Sequence, residues 1–409
     1  MKRRTRLLAL LAAVPPLAAA ACQGGAGTTP PTAEGRDSPG VSRAHVPGLD
    51  TVTDLAATGG GDVWAFDLLT TGGRAARWDG TRWTGTKLPA SCRCEWWAAA
   101  AVAPGDVWLA GSDRTTPGPA YYLHWNGSRW QRYEGPSPGN AGYVMRYLTG
   151  SGSSVWAAGN PFGQPLNHPH ATLQRWDGQQ WLAASAPGLD AAGSHIWALA
   201  VPRPGDVWVG VDDTLLHGDG LNWHSLALPA PARDGVGGFA AYGDGDAWFS
   251  ATCPAPRPCA LWHWDGTAWK AVPVPTDLGT FAGDLTPDGA GGVWLGIDHT
   301  GLRIDHGRAG GAAGGLMHVL ADGTVQAIPA PAPSAGALEP PKHNGDRVGQ
   351  PWGDDVRTTL LGAVPGTSAV WFKQSHTVWA AKWGGEPGYD DSPDDTRTAG
   401  DTEMLLRHD

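Results

Sequence analysis

Trp78-Asp79-Gly80-Thr81-Arg82-Trp83 is a tight hairpin written in six residues. Asp-Gly between two short apolar runs selects a turn whose glycine takes the positive φ that other residues resist. The same text recurs as Trp125-Asn-Gly-Ser-Arg-Trp130, Trp176-Asp-Gly-Gln-Gln-Trp181 and Trp264-Asp-Gly-Thr-Ala-Trp269. Looser copies are His217-Gly-Asp-Gly-Leu-Asn-Trp223 and Val319-Leu-Ala-Asp-Gly-Thr-Val325. Before each hairpin stands an apolar run with its own tryptophan: Trp64, Trp108, Trp156, Trp208, Trp248, Trp294 and, after a larger gap, Trp371. A second turn precedes several of these, as Gly61-Asp62, Gly105-Asp106, Gly205-Asp206 and Gly245-Asp246. Each unit therefore reads as four short strands, followed by a Pro-rich exit.

Four antiparallel strands in roughly 40–50 residues form one blade of a β-propeller. A single blade cannot bury both faces, so neighbours stack and the tryptophans fill the space between sheets. The prediction is an all-β, seven-bladed β-propeller over residues 42–409. Its last unit lacks a fourth strand, because Met404-Leu-Leu-Arg-His-Asp409 looks like a third strand. The missing strand reads at the other end: Ala44-His-Val-Pro-Gly-Leu-Asp50 matches Ala184-Ser-Ala-Pro-Gly-Leu-Asp190, the exit of the third unit. Residues 42–49 are expected to pair beside 403–408 and close the ring, which removes exposed sheet edges.

The Val-Trp strand and the Trp-Asp-Gly-x-x-Trp hairpin resemble those of secreted seven-bladed propellers from high-GC Gram-positive bacteria. More distantly, the repeat is similar to kelch and Asp-box propellers. The resemblance covers residues 42–409 and implies a fold. It carries over no catalytic residue, since the matching positions are packing and turn residues.

The N-terminus carries an address. Lys2, Arg3, Arg4 and Arg6 precede the apolar run Leu7 to Val14, and small residues lead to Cys22. This is an export signal, with a core too short to span a membrane. Cysteine directly after small residues resembles a bacterial lipoprotein cleavage site, which implies lipidation of Cys22 and extracytoplasmic anchoring to the cell membrane. Residues 23–41, rich in Gly, Thr and Pro, read as a flexible tether.

Composition narrows the partners. The chain has 409 residues, 23 of them Trp, with 17% charged residues, 60 Gly and 35 Pro. That much aromatic surface excludes a disordered chain, and the glycine density excludes a helical bundle. Net charge is −10, and losing the four cations of the 1–22 signal takes it to −14. Without a basic stripe, nucleic acid is excluded as a partner, and the membrane is met through the lipid anchor alone.

Length variation points to one face. The turns between first and second strands, and between third and fourth, are short. The opposite set is long: 112–120, 160–170, 252–259, 298–315 and 374–401 between second and third strands, and 329–356 between units. Long loops in a compact domain carry function. They hold His168 and His170, then Asp298-His299 and Asp305-His306, which are the candidate ligand-binding residues. Imidazole and carboxylate side by side can bind ligands or exchange protons. Their spacing fits no metal motif. Cys253 and Cys259 sit in one loop and are expected to form a local disulfide, whereas Cys92-Arg-Cys94 pairs within itself or stays reduced. Asp390-Asp391-Ser-Pro-Asp394-Asp395 would suit Ca²⁺ by charge but lacks the spacing of an EF-hand loop, so no cofactor is expected. No nucleophile elbow, phosphate loop or zinc-protease motif occurs. The function read from these features is a monomeric, lipid-anchored binding module for an envelope protein or glycan. The alternative, a polysaccharide hydrolase or lyase, requires Asp and His side chains converging on the channel mouth.

Overall fold

A computed structural model describes residues 36–38, 41–43, 45–49, 51–68, 73–89, 95–112, 118–137, 142–162, 170–229, 236–251, 260–275, 280–303, 315–329, 352–365, 367, 369–380 and 398–407. The chain begins with β1 (Arg36–Ser38) and β2 (Val41–Arg43). Then come sets of four. The first is β3 (Asp54–Gly59), β4 (Asp62–Asp67), β5 (Arg74–Trp78) and β6 (Trp83–Lys87). The second is β7 (Glu95–Ala103), β8 (Asp106–Ser112), β9 (Tyr121–Asn126) and β10 (Trp130–Glu134). The third is β11 (Gly142–Ser151), β12 (Ser154–Phe162), β13 (Thr172–Trp176) and β14 (Trp181–Ala184). The fourth is β15 (Ile196–Arg203), β16 (Asp206–Val211), β17 (Thr214–Gly218) and β18 (Trp223–Ala227). The fifth is β19 (Val236–Tyr242), β20 (Asp246–Ala251), β21 (Ala260–Asp265) and β22 (Trp269–Val272). The chain ends with β23 (Thr280–Pro287), β24 (Val293–Arg303), β25 (Gly315–Val319), β26 (Val325–Pro329), β27 (Trp352–Ala363), β28 (Val370–Ala380) and β29 (Thr398–Arg407).

The β-propeller is present, but with six blades rather than seven. Five are four-stranded antiparallel sheets, and the sixth is a nine-stranded sheet. Its order is β1-β2-β29-β28-β27-β24-β25-β26, with β23 also paired to β24. The sixth and seventh repeats merge because β24 does not stop at the sheet end. It runs on to Arg303 and pairs His299–Arg303 with Val356–Trp352 of β27. Pairing satisfies backbone groups that a loop would leave to water. Residues 298–303, 352–356, 374–380 and 398–401, expected as loop, are therefore strand.

The ring closes through the N-terminal strand. β2 pairs antiparallel with β29, Val41 opposite Arg407 and Arg43 opposite Leu405. The closing strand is 41–43 rather than 42–49. Residues 45–49 turn away instead, with the Leu49 amide donating to the Val46 carbonyl at 3.2 Å. Inside the ring, Trp371 of β28 meets Trp83 of β6 edge-on at 6.0 Å.

Burial explains why each strand has its composition. β4 and β16 are buried along their whole length, since sheets pack on both their faces. The outermost strands β6 and β26 mix half-buried with exposed residues, and none of their residues is fully buried. Trp64, Trp108, Trp208, Trp248 and Trp371 are fully buried, and Trp156 and Trp294 nearly so. Trp64 packs against Trp125 and Trp130 of the next sheet at 5.4 and 5.6 Å. Trp108 repeats the contact with Trp176 and Trp181 at 5.0 and 5.5 Å. Each hairpin thus serves its neighbour's core. Gly80, Gly127, Gly178 and Gly266 take φ between 88° and 101° at the hairpin corners, as the sequence pattern requires.

Candidate functional site

A cleft of about 290 Å³ opens where the first, second and last sheets meet. It lies at the strand ends from which the long connections leave, the face singled out from loop lengths. Val52 and Thr53 lead into β3, Leu68 leaves β4, and Trp96 and Trp97 start β7. Thr359 and Leu361 of β27 and Lys373 of β28 complete the wall. Val52, Leu68, Leu361 and Trp96 are buried, whereas Trp97 and Lys373 are half-buried and Thr359 is exposed.

Several contacts hold this wall in place. The Thr53 hydroxyl donates to the Phe66 carbonyl at 3.1 Å and accepts from the Leu68 amide at 2.9 Å. Asp54 accepts from the amides of Leu55 and Ala99, both at 2.8 Å, and so ties β3 to β7 two residues from Trp97. Burial pushes its carboxyl up to about 7, against the pull of those two amide bonds. Gly111 lies flat under Trp96: a Cβ there would meet the ring at 2.7 Å.

Lys373 and Thr359 stand directly opposite each other in the β27–β28 register. Directly opposed residues share one sheet face with Cβ atoms about 4.5–5.5 Å apart. Neither side chain has a hydrogen bond or ion pair among the described residues. Asp67, the last residue of β4, is fully buried with both carboxylate oxygens unpaired. Alternation puts it with Val63 and Ala65, which pack on the same cluster as Leu361 and Trp371. Alternation also puts Lys373 with Trp371, so cation and carboxylate face the same gap between sheets.

The residues selected from sequence have other employment where they are described. The His170 ring, through Nδ1, pairs with the Ala171 carbonyl at 2.9 Å, and its own carbonyl accepts from the Tyr143 hydroxyl at 2.9 Å. Asp298 accepts from the Thr358 amide at 2.7 Å and pins β24 to β27. His299 is a strand residue opposite Val356. His170 precedes β13 of the third sheet, whereas Asp298 lies in β24 of the last. His168, Asp305, His306, Cys22, Cys92, Cys94, Cys253, Cys259 and the 390–395 acidic run lie outside the described residues. Among the described residues, no three His, Cys, Asp or Glu side chains are grouped to hold a metal.

Another set of histidines escaped the sequence reading. His124, His217, His263 and His318 each bond an aspartate on the neighbouring strand or turn, Asp106, Asp206, Asp246 and Asp288, at 2.8–2.9 Å. Each imidazole also stacks on the strand tryptophan, Trp108, Trp208, Trp248 or Trp294, at 3.9–4.1 Å. In the first sheet Arg77 takes the place of histidine, bonding Asp62 at 3.0 Å and lying over Trp64 at 5.6 Å. A signal was present: Arg77, His124, His217, His263 and His318 hold the same place before each hairpin. These carboxylate–imidazole pairs sit beside the short turns, at the opposite face from the cleft, and serve packing.

No known protein family matches the chain, and no curated protein matches it. Among solved structures, a streptogramin B lyase aligns with a TM-score of 0.52 at 12% identity, covering 81% of this chain and 93% of that one. YCF48 bound to D1 peptide aligns at 0.49 and 13% identity, covering 93% and 99%. A lectin of Aleuria aurantia in complex with alpha-methyl-L-fucoside aligns at 0.39 and 15% identity, covering 69% and 97%. At such identities the likeness to the first extends to the fold alone, and the chain is similar to it in architecture rather than in site.

Proposed function

We propose that this chain is a binding module held at the outer face of the cell membrane. Residues 1–22 direct export, Cys22 carries the lipid, residues 23–41 form the tether, and the propeller presents its cleft to a glycan or protein of the envelope. The carrying observation is the cleft. It combines a half-buried tryptophan with a hydroxyl and an ammonium that have no partner among the described residues, on an aliphatic floor. A few polar groups converging in an apolar concavity are the chemistry of holding a ligand. Of the residues that would support bond cleavage, Asp298 and His170 are bonded to backbone away from the cleft. The lectin and the peptide-bound YCF48 among the aligned structures are companions to this reading and do not bear it.

The test uses the full chain with Cys22→Ser, incubated with purified envelope polysaccharide and separately with envelope membranes. Retention by either, lost at least tenfold in Trp97→Ala, is the expected result. Equal retention of Trp97→Ala, or none for the unaltered cleft, would remove the cleft from the account. The anchor is tested separately: radiolabelled palmitate incorporated by the native chain and absent from Cys22→Ser.

A further inference from the structure

Resting on the binding-module reading, we infer that the cleft receives a single sugar ring bearing a carboxylate, as at the end of an acidic glycan. Its volume of about 290 Å³ lies at the bottom of the range of small-molecule sites. That admits one substituted ring and excludes a peptide strand or a run of sugars. The ligand is a compact group inserted end-on.

Charge decides the next feature. The chain carries a net charge of −10, yet among the described residues that line the cleft the ionic one is the cation Lys373. Its ammonium has no protein partner among the described residues, and Lys373 shares the cleft wall with Leu361 and Val52. A half-buried ammonium on an aliphatic wall is a ready donor to an anionic ligand. One cation matches one monoanion. Thr359 stands opposite Lys373 in register, with its hydroxyl exposed. An ammonium and a hydroxyl side by side can each donate to one oxygen of a carboxylate.

The body of the ligand follows from the remaining wall. Trp96 is buried to 4% exposure, so Trp97 is the indole that presents itself. An indole face takes the C–H face of a sugar ring while the hydroxyls on the ring edge reach water and Thr359.

Isothermal titration of the full chain carrying Cys22→Ser, against D-glucuronate, D-glucose and benzoate, tests this directly. D-Glucuronate is expected to bind about tenfold or more tightly than D-glucose, the worth of one charge-assisted bond. Benzoate, which has the charge without the hydroxyls, should bind more weakly than D-glucuronate. Lys373→Met should remove the preference for D-glucuronate over D-glucose, whereas Lys373→Arg retains it. An oligosaccharide ending in glucuronic acid distinguishes a glycan terminus from the free sugar acid. Binding at least as tight as the monosaccharide supports the terminus, and failure to bind overturns it. Equal affinity for D-glucuronate and D-glucose overturns the proposal without any variant. If neutral glycans are retained and Trp97→Ala releases them, the binding-module reading stands while the sugar acid falls.

Discussion

Asp54 is where a single residue feels the tertiary structure most. Its sequence context, Thr53-Asp54-Leu55, describes an ordinary carboxylate. Burial raises it to about 7 from the ordinary aspartate value of 3.8. A raised pKa means the folded state holds a proton that the unfolded chain has released. The resulting stability is fully present below about 3.8 and is lost as pH rises through about 7. The thermal midpoint should therefore rise between pH 8 and pH 5 by more in the native chain than in Asp54→Asn. Asparagine keeps an amide acceptor and cannot ionise. Parallel slopes for the two, measured by calorimetry at four pH values, would show that Asp54 is not held neutral. Gly111 offers a second residue-level test. Gly111→Ala drives a methyl into the Trp96 ring and the Glu95 carbonyl. Overpacking of this kind costs about 1–3 kcal/mol, and the variant should bind ligand more weakly as Trp97 is displaced with its neighbour.

At the scale of elements, the repeated clip of aspartate, imidazole and indole binds each short turn to its strand. In the fourth sheet, Asp206 accepts from the Trp208 indole at 3.0 Å, pairs with Arg203 at 3.1 Å and bonds His217. Removing the imidazole forfeits one hydrogen bond and one stacked ring, and His217→Ala should cost about 2 kcal/mol. His217→Arg should cost less than half of that, because Arg77 fills the same role in the first sheet. Urea midpoints of the two variants decide it; equal losses would mean that packing volume alone matters. The β24–β27 pairing is the element that the repeats did not announce. Both strands read as loop by comparison with shorter units. Nothing in a periodic pattern says where one repeat's strand outruns its sheet and finds a neighbour.

For the whole molecule, closure is carried by a strand of three residues. Val41 is 1% exposed and packs with Trp294, Leu316, Val370 and Phe372. Val41→Asp would place a charge in that cluster and pull β2 from β29. The expected loss is about 3 kcal/mol or more, since a carboxylate among these apolar side chains loses its hydration. With β29 uncovered, the variant should also associate as concentration rises, because an open edge templates pairing. Sedimentation velocity across a hundredfold concentration range checks this. A monomer of unchanged stability would mean that Trp371 against Trp83 closes the ring unaided.

The sequence by itself determined the propeller. Alternation, turn chemistry and tryptophan spacing are local properties, repeated often enough to force one solution. The closing strand was legible for the same reason, although its span moved to 41–43. Only the tertiary structure decided the rest. The merger of the last two repeats depends on backbone pairing between segments far apart in sequence. The cleft gathers Thr53, Trp97, Thr359 and Lys373 from three sheets, and none of them carries a motif. Asp54 acquires its altered acidity from burial. Burial belongs to how the sheets meet, and no stretch of this chain specifies it alone.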